Sequence, residues 1–251
     1  MNYVKYPNLP ENAKIVLLGE KYAKILGKPL KKHGIEPLFV PDNPIVSDMV
    51  SGHADISLLH LGDNKLVLAK YLKGSSLAEK LSNLGMTVQF LDTEQGEKYP
   101  KDSSLNLCIC GENLFYNPKS ANSAIVDFLT NEHNLKKRII KQGYSKCSVC
   151  VVSKNAIITA DEGINKRAVE AGIDCLKISP GFIDLPGYDY GFIGGATFKL
   201  DKYTMAFTGS LDFHPDKDNI LNFLSLHNVK PVYITERPIF DVGSVIQIVE
   251  K

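Results

Sequence analysis

Three absences limit what this 251-residue sequence can be. No apolar run approaches the roughly 20 residues that a helix needs to cross a bilayer, so we expect no membrane-spanning segment. The first residues, MNYVKYPNLPENAK, contain no apolar core, which predicts that no signal peptide is present. The five cysteines are few and odd in number, which argues against a disulfide framework and favours a reducing, cytoplasmic environment.

An excess of charge of either sign is also missing. The chain has 29 Lys and Arg against 28 Asp and Glu, a formal net charge of +1. Nothing in this balance predicts a nucleic-acid partner or a strongly acidic one. What the sequence does contain, 44% hydrophobic and 23% charged residues, is typical of a soluble globular protein with a full apolar core.

The most informative feature that is present is an internal repeat. The segment GHADISLLHLGDNKLVLA, residues 52–69, aligns without a gap on GYSKCSVCVVSKNAIITA, residues 143–160. Each copy is followed by a helical segment, a turn and another apolar strand. We therefore predict a unit of first strand, tight turn, second strand, helix and third strand. Such a repeat constrains the fold more than any single motif.

The same unit recurs along the chain in a consistent register. Asn, Asp and Gly mark the tight turns, which need residues that tolerate positive φ. Apolar residues such as Leu77, Leu81 and Leu84 share one helical face. Helices are predicted at 20–33, 75–84, 119–130, 162–171 and 216–227, and third strands at 34–40, 85–91, 136–141, 172–178 and 228–234.

The two ends of the chain complement each other. Residues 12–18 have the pattern of a second strand that lacks a first, and residues 240–249 that of a first strand that lacks a second. Joined, they complete a fifth unit, which closes a ring and removes exposed sheet edges. The predicted fold is an α/β five-bladed propeller in one domain, with blades at about 47–92, 100–141, 143–178, 187–235 and 238–251 joined with 12–41.

Short motifs in three of these units carry a family resemblance. They are Gly52-His53-Ala54-Asp55, the glycine-containing approach Gln142–Ser148 to Cys147, and the acidic segment Phe240–Ile246 around Asp241. With the five-unit register, they resemble the pentein or guanidine-modifying enzyme superfamily, which includes arginine deiminases, agmatine deiminases and dimethylarginine hydrolases. The family order is acid, His, Cys, whereas the order here is His, Cys, acid. The chain therefore resembles a circularly permuted, divergent member, and termini that lie close together make such permutation feasible.

The resemblance implies covalent catalysis. Cys147 would be the nucleophile, His53 the proton donor and acceptor, and Asp241 the acidic partner; Asp55 and Asp189 would bind the substrate. The reaction would pass through a thiouronium intermediate on a small amidine or guanidine and would need no metal or organic cofactor. A nucleophilic thiol needs a pKa below its free value of about 8.5, which a cationic substrate or a protonated His53 would provide.

One departure from the family leaves a competing interpretation open. Ile193 lies where the resemblance places the carboxylate that holds a guanidinium group. That loss favours a catalytically inactive pentein used for binding, similar to the ribosome anti-association factors, whereas His53, Cys147 and Asp241 favour an enzyme. The neutral net charge speaks against a ribosomal partner. We prefer the interpretation as an enzyme that acts on a small molecule.

The remaining cysteines carry a weaker signal. Cys108, Cys110, Cys147 and Cys150 are of the residue type found in four-thiolate zinc sites. Both pairs fall in predicted strands, where a spacing of three residues directs Cys147 and Cys150 to opposite faces. We therefore interpret the pairs as core positions without a metal. His60, in an apolar strand, is predicted to be a core histidine with a hydrogen-bond partner.

Overall fold

The computed structural model describes residues 1–251 and contains five small mixed β-sheets. The strands are β1 Asn2–Tyr3, β2 Ala13–Gly19, β3 Glu36–Val40, β4 Leu58–Gly62, β5 Lys65–Leu68, β6 Thr87–Phe90, β7 Cys108–Cys110, β8 Asn113–Tyr116, β9 Lys136–Ile139, β10 Cys150–Ser153, β11 Ala156–Thr159, β12 Asp174–Lys177, β13 Thr197–Asp201, β14 Thr204–Phe207, β15 Lys230–Tyr233 and β16 Ile246–Glu250. Four of the sheets have the same topology, in which the first two strands pair antiparallel and the last two pair parallel. These sheets are β4–β5–β6, β7–β8–β9, β10–β11–β12 and β13–β14–β15.

The longer helices occupy the positions that the repeat predicted. The helices are α1 Ala23–Lys32, α2 Asp48–Ser51, α3 Ala54–Ser57, α4 Ser76–Asn83, α5 Ser123–Asn131, α6 Ser145–Ser148, α7 Glu162–Glu170 and α8 Lys217–Leu226. The five longer ones connect second to third strands, because parallel neighbours need a crossover. Ser75, Asn122 and Asp161 cap α4, α5 and α7 by accepting an N–H from the first turn, which would otherwise lack a partner. None of the helices combines the length and apolar character needed to cross a bilayer.

The fifth sheet is built from both ends of the chain. Strand β16 pairs antiparallel with β2, and β2 pairs parallel with β3, which confirms the predicted fifth unit. Strand β1 extends this sheet on the other side of β16, a pairing that the sequence pattern did not predict. Both termini are therefore held by strand hydrogen bonds.

Apolar clusters join the five sheets in a cycle, and the only bridge between the strands of two sheets is the isolated one from Asn12 to Asp201 of β13. Each cluster takes side chains from two neighbouring units. They are Leu17 and Ile248 with Leu66 and Leu68, Leu59 and Val67 with Ile109 and Leu114, Cys108 and Phe115 with Val151 and Ile157, Val152 and Ile158 with Met205 and Phe207, and Phe198 and Ala206 with Val16 and Leu18. This cyclic packing confirms the α/β propeller class.

The amino-terminal segment closes one end of the axis. Residues 5–9 pass the turn ends of the sheets, where Asn8 Nδ2 donates to the carbonyl of Ile109 at 3.0 Å. Above it, Lys146 and Asn8 line two enclosed cavities of about 20 and 10 Å³ that take their other walls from several units. Spaces of this size hold a water molecule at most. The loops that precede the first strands lie at the other end of the ring.

Candidate active site

Five loops meet at that other end because every first strand begins there. The loops are 41–57, 91–107, 140–149, 178–196 and 234–245. They are hydrogen-bonded around the axis: Asp55 N–H donates to the carbonyl of Gly243 at 3.1 Å, Gly195 N–H to that of Cys147 at 2.9 Å, and Ser145 N–H to that of Asn106 at 3.2 Å. Side chains of four different units are thereby brought to one point.

Cys147 lies in the one-turn helix α6, which corrects the prediction of a strand at this position. Asn106 from the neighbouring unit holds the turn, since its Oδ1 accepts the N–H groups of Lys146 at 2.7 Å and of Cys147 at 3.3 Å. The strand β10 begins only at Cys150. The opposite-face argument for Cys147 and Cys150 therefore does not apply, and Cys147 turns toward the axis.

The Cys147 thiol is held in its protonated form. It is 2% exposed, and its Sγ donates to Asp55 Oδ2 at 2.8 Å. Burial raises the pKa of Cys147 well above its ordinary value, and the charges of Asp55 and Asp241 raise it further. Asn106 Nδ2 approaches Sγ at 3.5 Å and opposes this effect weakly.

His53 is a neutral base with a free nitrogen. It precedes α3, is 2% exposed, and its buried Nε2 has no hydrogen-bond partner. Burial lowers the pKa of His53 to about 4, against the opposing charge of Asp55. Gly243, with φ of 66°, packs on the ring so closely that any side chain there would overlap His53 Cβ. The imidazole is therefore fixed in position and available to a ligand.

Asp55 connects the thiol to a buried cation. Its Oδ2 also accepts from Ser244 Oγ at 2.6 Å, and Ser244 Oγ in turn accepts from Lys146 Nζ at 3.2 Å. The other oxygen, Oδ1, is buried without a partner. Burial raises the pKa of Asp55, while His53 and the hydrogen bonds from Cys147 and Ser244 oppose the shift. One acceptor atom is thus left for a ligand.

Asp241 supplies the second carboxylate. Its Oδ2 accepts the N–H of Phe192 at 2.9 Å and its Oδ1 that of Gly243 at 2.8 Å. Burial raises the pKa of Asp241 to about 6, although both backbone hydrogen bonds oppose the shift. Ile193 is buried in the apolar cluster between the third and fourth repeats. The position that lacks the family's carboxylate is therefore a core position in this chain.

The remaining predicted residue lies apart from this group. Asp189 is exposed in the loop 178–196, whereas Asp55, Cys147 and Asp241 are buried. Tyr22, which the sequence did not indicate, covers the site: its ring centroid is 6.2 Å from that of His53. Burial raises the pKa of Tyr22, and the charge of Asp241 adds to the shift. His60, as predicted, is a buried core residue with a partner, since Nε2 bonds to the Asp63 carbonyl at 2.9 Å.

The site also has the donor set of a metal centre. Ligand atoms of His53, Asp55 and Cys147 all lie within 4.8 Å of one another. Imidazole, carboxylate and thiolate are all ligands that Zn²⁺ accepts. The same atoms can instead bind and attack an N–H-bearing carbon centre, because a thiol, a free imidazole nitrogen and a free carboxylate oxygen then have separate roles.

The raised pKa of the thiol makes a prediction about a neutral reagent. We expect iodoacetamide to modify Cys147 slowly at pH 7, with a rate that rises about tenfold per pH unit up to pH 10, because only the thiolate reacts. Peptide mass spectrometry would separate this signal from that of the half-buried Cys175. A rate that levels off below pH 8 would contradict the described environment.

Comparison with known proteins places the fold. The structure aligns with SxtG, an amidinotransferase of the saxitoxin pathway from Microseira wollei, over 95% of this chain and 96% of that chain, with a TM-score of 0.57 and 12% identity. It aligns with substrate-bound agmatine deiminase from C. jejuni over 99% of this chain and 96% of that chain, with a TM-score of 0.57 and 12% identity. It aligns with DDAH from Pseudomonas aeruginosa with citrulline over 94% of this chain and 99% of that chain, with a TM-score of 0.52 and 12% identity. The last two were solved as cysteine-to-serine variants. All three are enzymes of the pentein fold.

Sequence comparison identifies the family. No curated protein matches the sequence. The model of a family of unknown function, DUF6873, matches residues 17–246, nearly the whole chain. Identities of 12% to the solved penteins show the shared fold and leave the activity to be argued from the site. The chain belongs to the DUF6873 family and has the pentein fold.

Proposed function

We propose that the protein is a cysteine-dependent hydrolase or deiminase that acts on a small amidine- or guanidine-like cation. One observation supports this most strongly: the thiol of Cys147, the unpartnered Nε2 of His53 and the unpartnered Oδ1 of Asp55 converge in a buried site. Buried polar atoms in native proteins nearly always have partners. Of six such buried atoms in the chain, these two lie within reach of the Cys147 thiol, and both can accept N–H groups from one ligand.

A bound cation would activate the thiol. Placed against Asp55 and Asp241, its positive charge favours the thiolate, so the thiol proton moves from Cys147 Sγ to His53 Nε2. The thiolate then attacks the amidine carbon, forming the C–S bond. His53 returns the proton to the departing nitrogen as the C–N bond breaks, and ammonia or an amine leaves.

Water completes the reaction. A water molecule takes the place of the amine, gives a proton to His53 Nε2 and forms a C–O bond to the thiouronium carbon. The C–S bond breaks, the sulfur of Cys147 takes the proton back, and a urea- or amide-like product leaves. Asp55 and Asp241 hold the N–H groups throughout, since carboxylates match planar N–H pairs.

The charge of the five loops supports a cationic substrate. They carry eleven Asp and Glu against five Lys and Arg, although the whole chain is nearly neutral. Such a surface attracts cations and repels anions during encounter. The alternative of a ribosome-binding pentein is disfavoured at this face, because RNA phosphates would meet the same negative charge.

Access requires the loops to separate. His53, Asp55, Cys147 and Asp241 are each at most 2% exposed. Gly187 of one loop touches the side chain of Met49 of another, and a side chain at Gly187 would overlap it. Closure over a small substrate excludes water from the reacting atoms, as in other enzymes with mobile loops.

Labelling with 2-chloroacetamidine tests the proposal. This cationic amidine should alkylate Cys147 stoichiometrically at pH 7 and faster than iodoacetamide, because its charge creates the thiolate that attacks it. Intact-protein and peptide mass spectrometry give the stoichiometry and the position. Labelling should vanish in Cys147→Ser and fall strongly in His53→Ala.

The other cysteines provide the control. A Cys175→Ser variant removes the most accessible of them and should label like the wild type. Modification of Cys108 or Cys175 in place of Cys147, or no modification at all, would rule out the proposed mechanism.

A further inference from the structure

A row of aromatic side chains leads from the candidate site to the surface. The ring centroids of Tyr99 and Tyr144 are 5.6 Å apart, those of Tyr144 and Phe192 6.5 Å, and those of Phe192 and Tyr190 6.2 Å with perpendicular planes. The two end members are exposed, Tyr99 by 49% and Tyr190 by 38%. Contiguous exposed apolar surface of this kind commonly marks a binding site.

The middle of the row borders the reacting groups. Tyr144 directly precedes α6, the turn that carries Cys147, and the backbone N–H of Phe192 donates to Asp241 Oδ2 at 2.9 Å. A head group held by Asp55 and Asp241 would therefore direct its substituent along these rings.

Two of the rings, Tyr144 and Tyr99, are anchored by contacts with neighbouring loops. Tyr144 Oη donates to Asp102 Oδ2 at 2.6 Å, and its ring packs on the small cluster of Val46, Val50 and Ile56. Tyr99 Oη donates to the carbonyl of Lys141 at 3.3 Å. Anchored rings lose less side-chain freedom when an apolar or aromatic group binds against them.

The surroundings do not suit a substrate carboxylate. Lys146 lies beneath the site and donates to Ser244, and Lys21, near His53, is engaged by the backbone and side chain of Asp48. The loops carry more than twice as many acidic as basic side chains. The net charge of the loops disfavours an amino-acid substrate, whose carboxylate would enter a negative field.

We propose that the substrate is an amidine or guanidine whose nitrogen bears an aryl or arylalkyl group, and that Tyr144 and Phe192 bind this group. The inference rests on the proposed function of Cys147, His53 and Asp55. It assigns the apolar half of the substrate to the aromatic row and excludes α-amino acids from the preferred class.

Three chloroacetamidine probes test this assignment: the unsubstituted compound, its N-benzyl derivative and its N-carboxymethyl derivative. Each rate of Cys147 labelling is divided by the rate of the same probe with glutathione, which removes intrinsic reactivity. The N-benzyl probe should be about tenfold faster than the unsubstituted one, as an added aromatic contact allows. The N-carboxymethyl probe should be slower than both.

A matched pair of variants locates the effect. Phe192→Ala removes one ring but keeps the backbone N–H that Asp241 accepts. The ratio of the N-benzyl rate to the unsubstituted rate should fall to about one in this variant. Tyr203→Ala removes an exposed tyrosine at the opposite end of the ring and should change nothing.

The outcomes distinguish the failure of the proposed substrate class from the failure of the proposed enzymatic function. Equal rates for all three probes at Cys147, a faster N-carboxymethyl probe, or an N-benzyl advantage that survives in Phe192→Ala would overturn the substrate class while the labelled thiol still supports the enzyme. Absence of labelling by every probe would overturn the proposed function together with the inference.

Discussion

Replacing Asp55 by asparagine is expected to change the reactivity of Cys147 in opposite directions toward two reagents. After burial, the charge of Asp55 is the largest cause of the raised pKa of Cys147, so its loss increases the thiolate fraction. Neutral iodoacetamide should therefore react faster at pH 7. Cationic 2-chloroacetamidine should react about a hundredfold more slowly, because it loses a buried charged hydrogen-bond partner.

The labelling rates of both reagents are measured by intact mass for the wild type and for Asp55→Asn. Asp189→Asn is the matched control, since Asp189 is also an acidic residue of the loops but is exposed. Both rates should stay at the wild-type values in that variant. A parallel fall of both rates in Asp55→Asn would indicate damage to the fold at α3 in place of the loss of a carboxylate.

The propeller could be predicted because its sequence pattern repeats along the chain. Every unit repeats the same order of strand, turn, strand, helix and strand, and the five longer helices lie within a few residues of the predicted ranges. Complementary termini predicted the sheet that β16, β2 and β3 form. Strand β1 could not be predicted from the sequence, because two residues are too few to show an alternating pattern. It is a strand only through its pairing with β16.

The site was less predictable because it lies in loops. His53, Cys147 and Asp241 could be singled out through short motifs, but the apolar run around Cys147 gave a strand pattern where a helical turn exists. Asn106, 41 positions before Cys147, stabilises this turn by accepting two of its N–H groups. Tertiary contacts of this kind override local propensity, and no pattern within the segment reports them.

Two further members of the site, Lys146 and Ser244, illustrate the same limit. Each is an ordinary polar residue in sequence, and they are 98 positions apart, yet Lys146 Nζ donates to Ser244 Oγ at 3.2 Å in the buried axis. Only the ring places them beside Asp55. Their contribution is electrostatic: burial raises the pKa of both Asp55 and Asp241, and the charge of Lys146 opposes that shift in each.

Replacing Lys146 by methionine should therefore destabilise the protein in a pH-dependent way. At pH 7.5 we expect the free energy of unfolding to fall by about 3 kcal/mol, because two buried carboxylates lose their nearest cation. The loss should shrink toward pH 5. Since the pKa of Asp241 is already raised to about 6, the native state of the variant takes up protons that the unfolded state does not, so its stability decreases as the pH rises through this range.

Lys199→Met distinguishes this effect from the loss of any buried lysine. Lys199 is also buried, at 2% exposure against 9% for Lys146, but its Nζ donates to the carbonyl of Lys202 and contacts no carboxylate of the site. Burial lowers the pKa of Lys199 to about 8, so in urea unfolding the cost of its replacement should rise by only about 0.2 kcal/mol from pH 5 to pH 7.5. If Lys146→Met shows the same nearly pH-independent loss, Lys146 only fills space in the axis. If its loss is confined to the higher pH, the buried lysine keeps the two site carboxylates ionised, the state in which they can bind a cation.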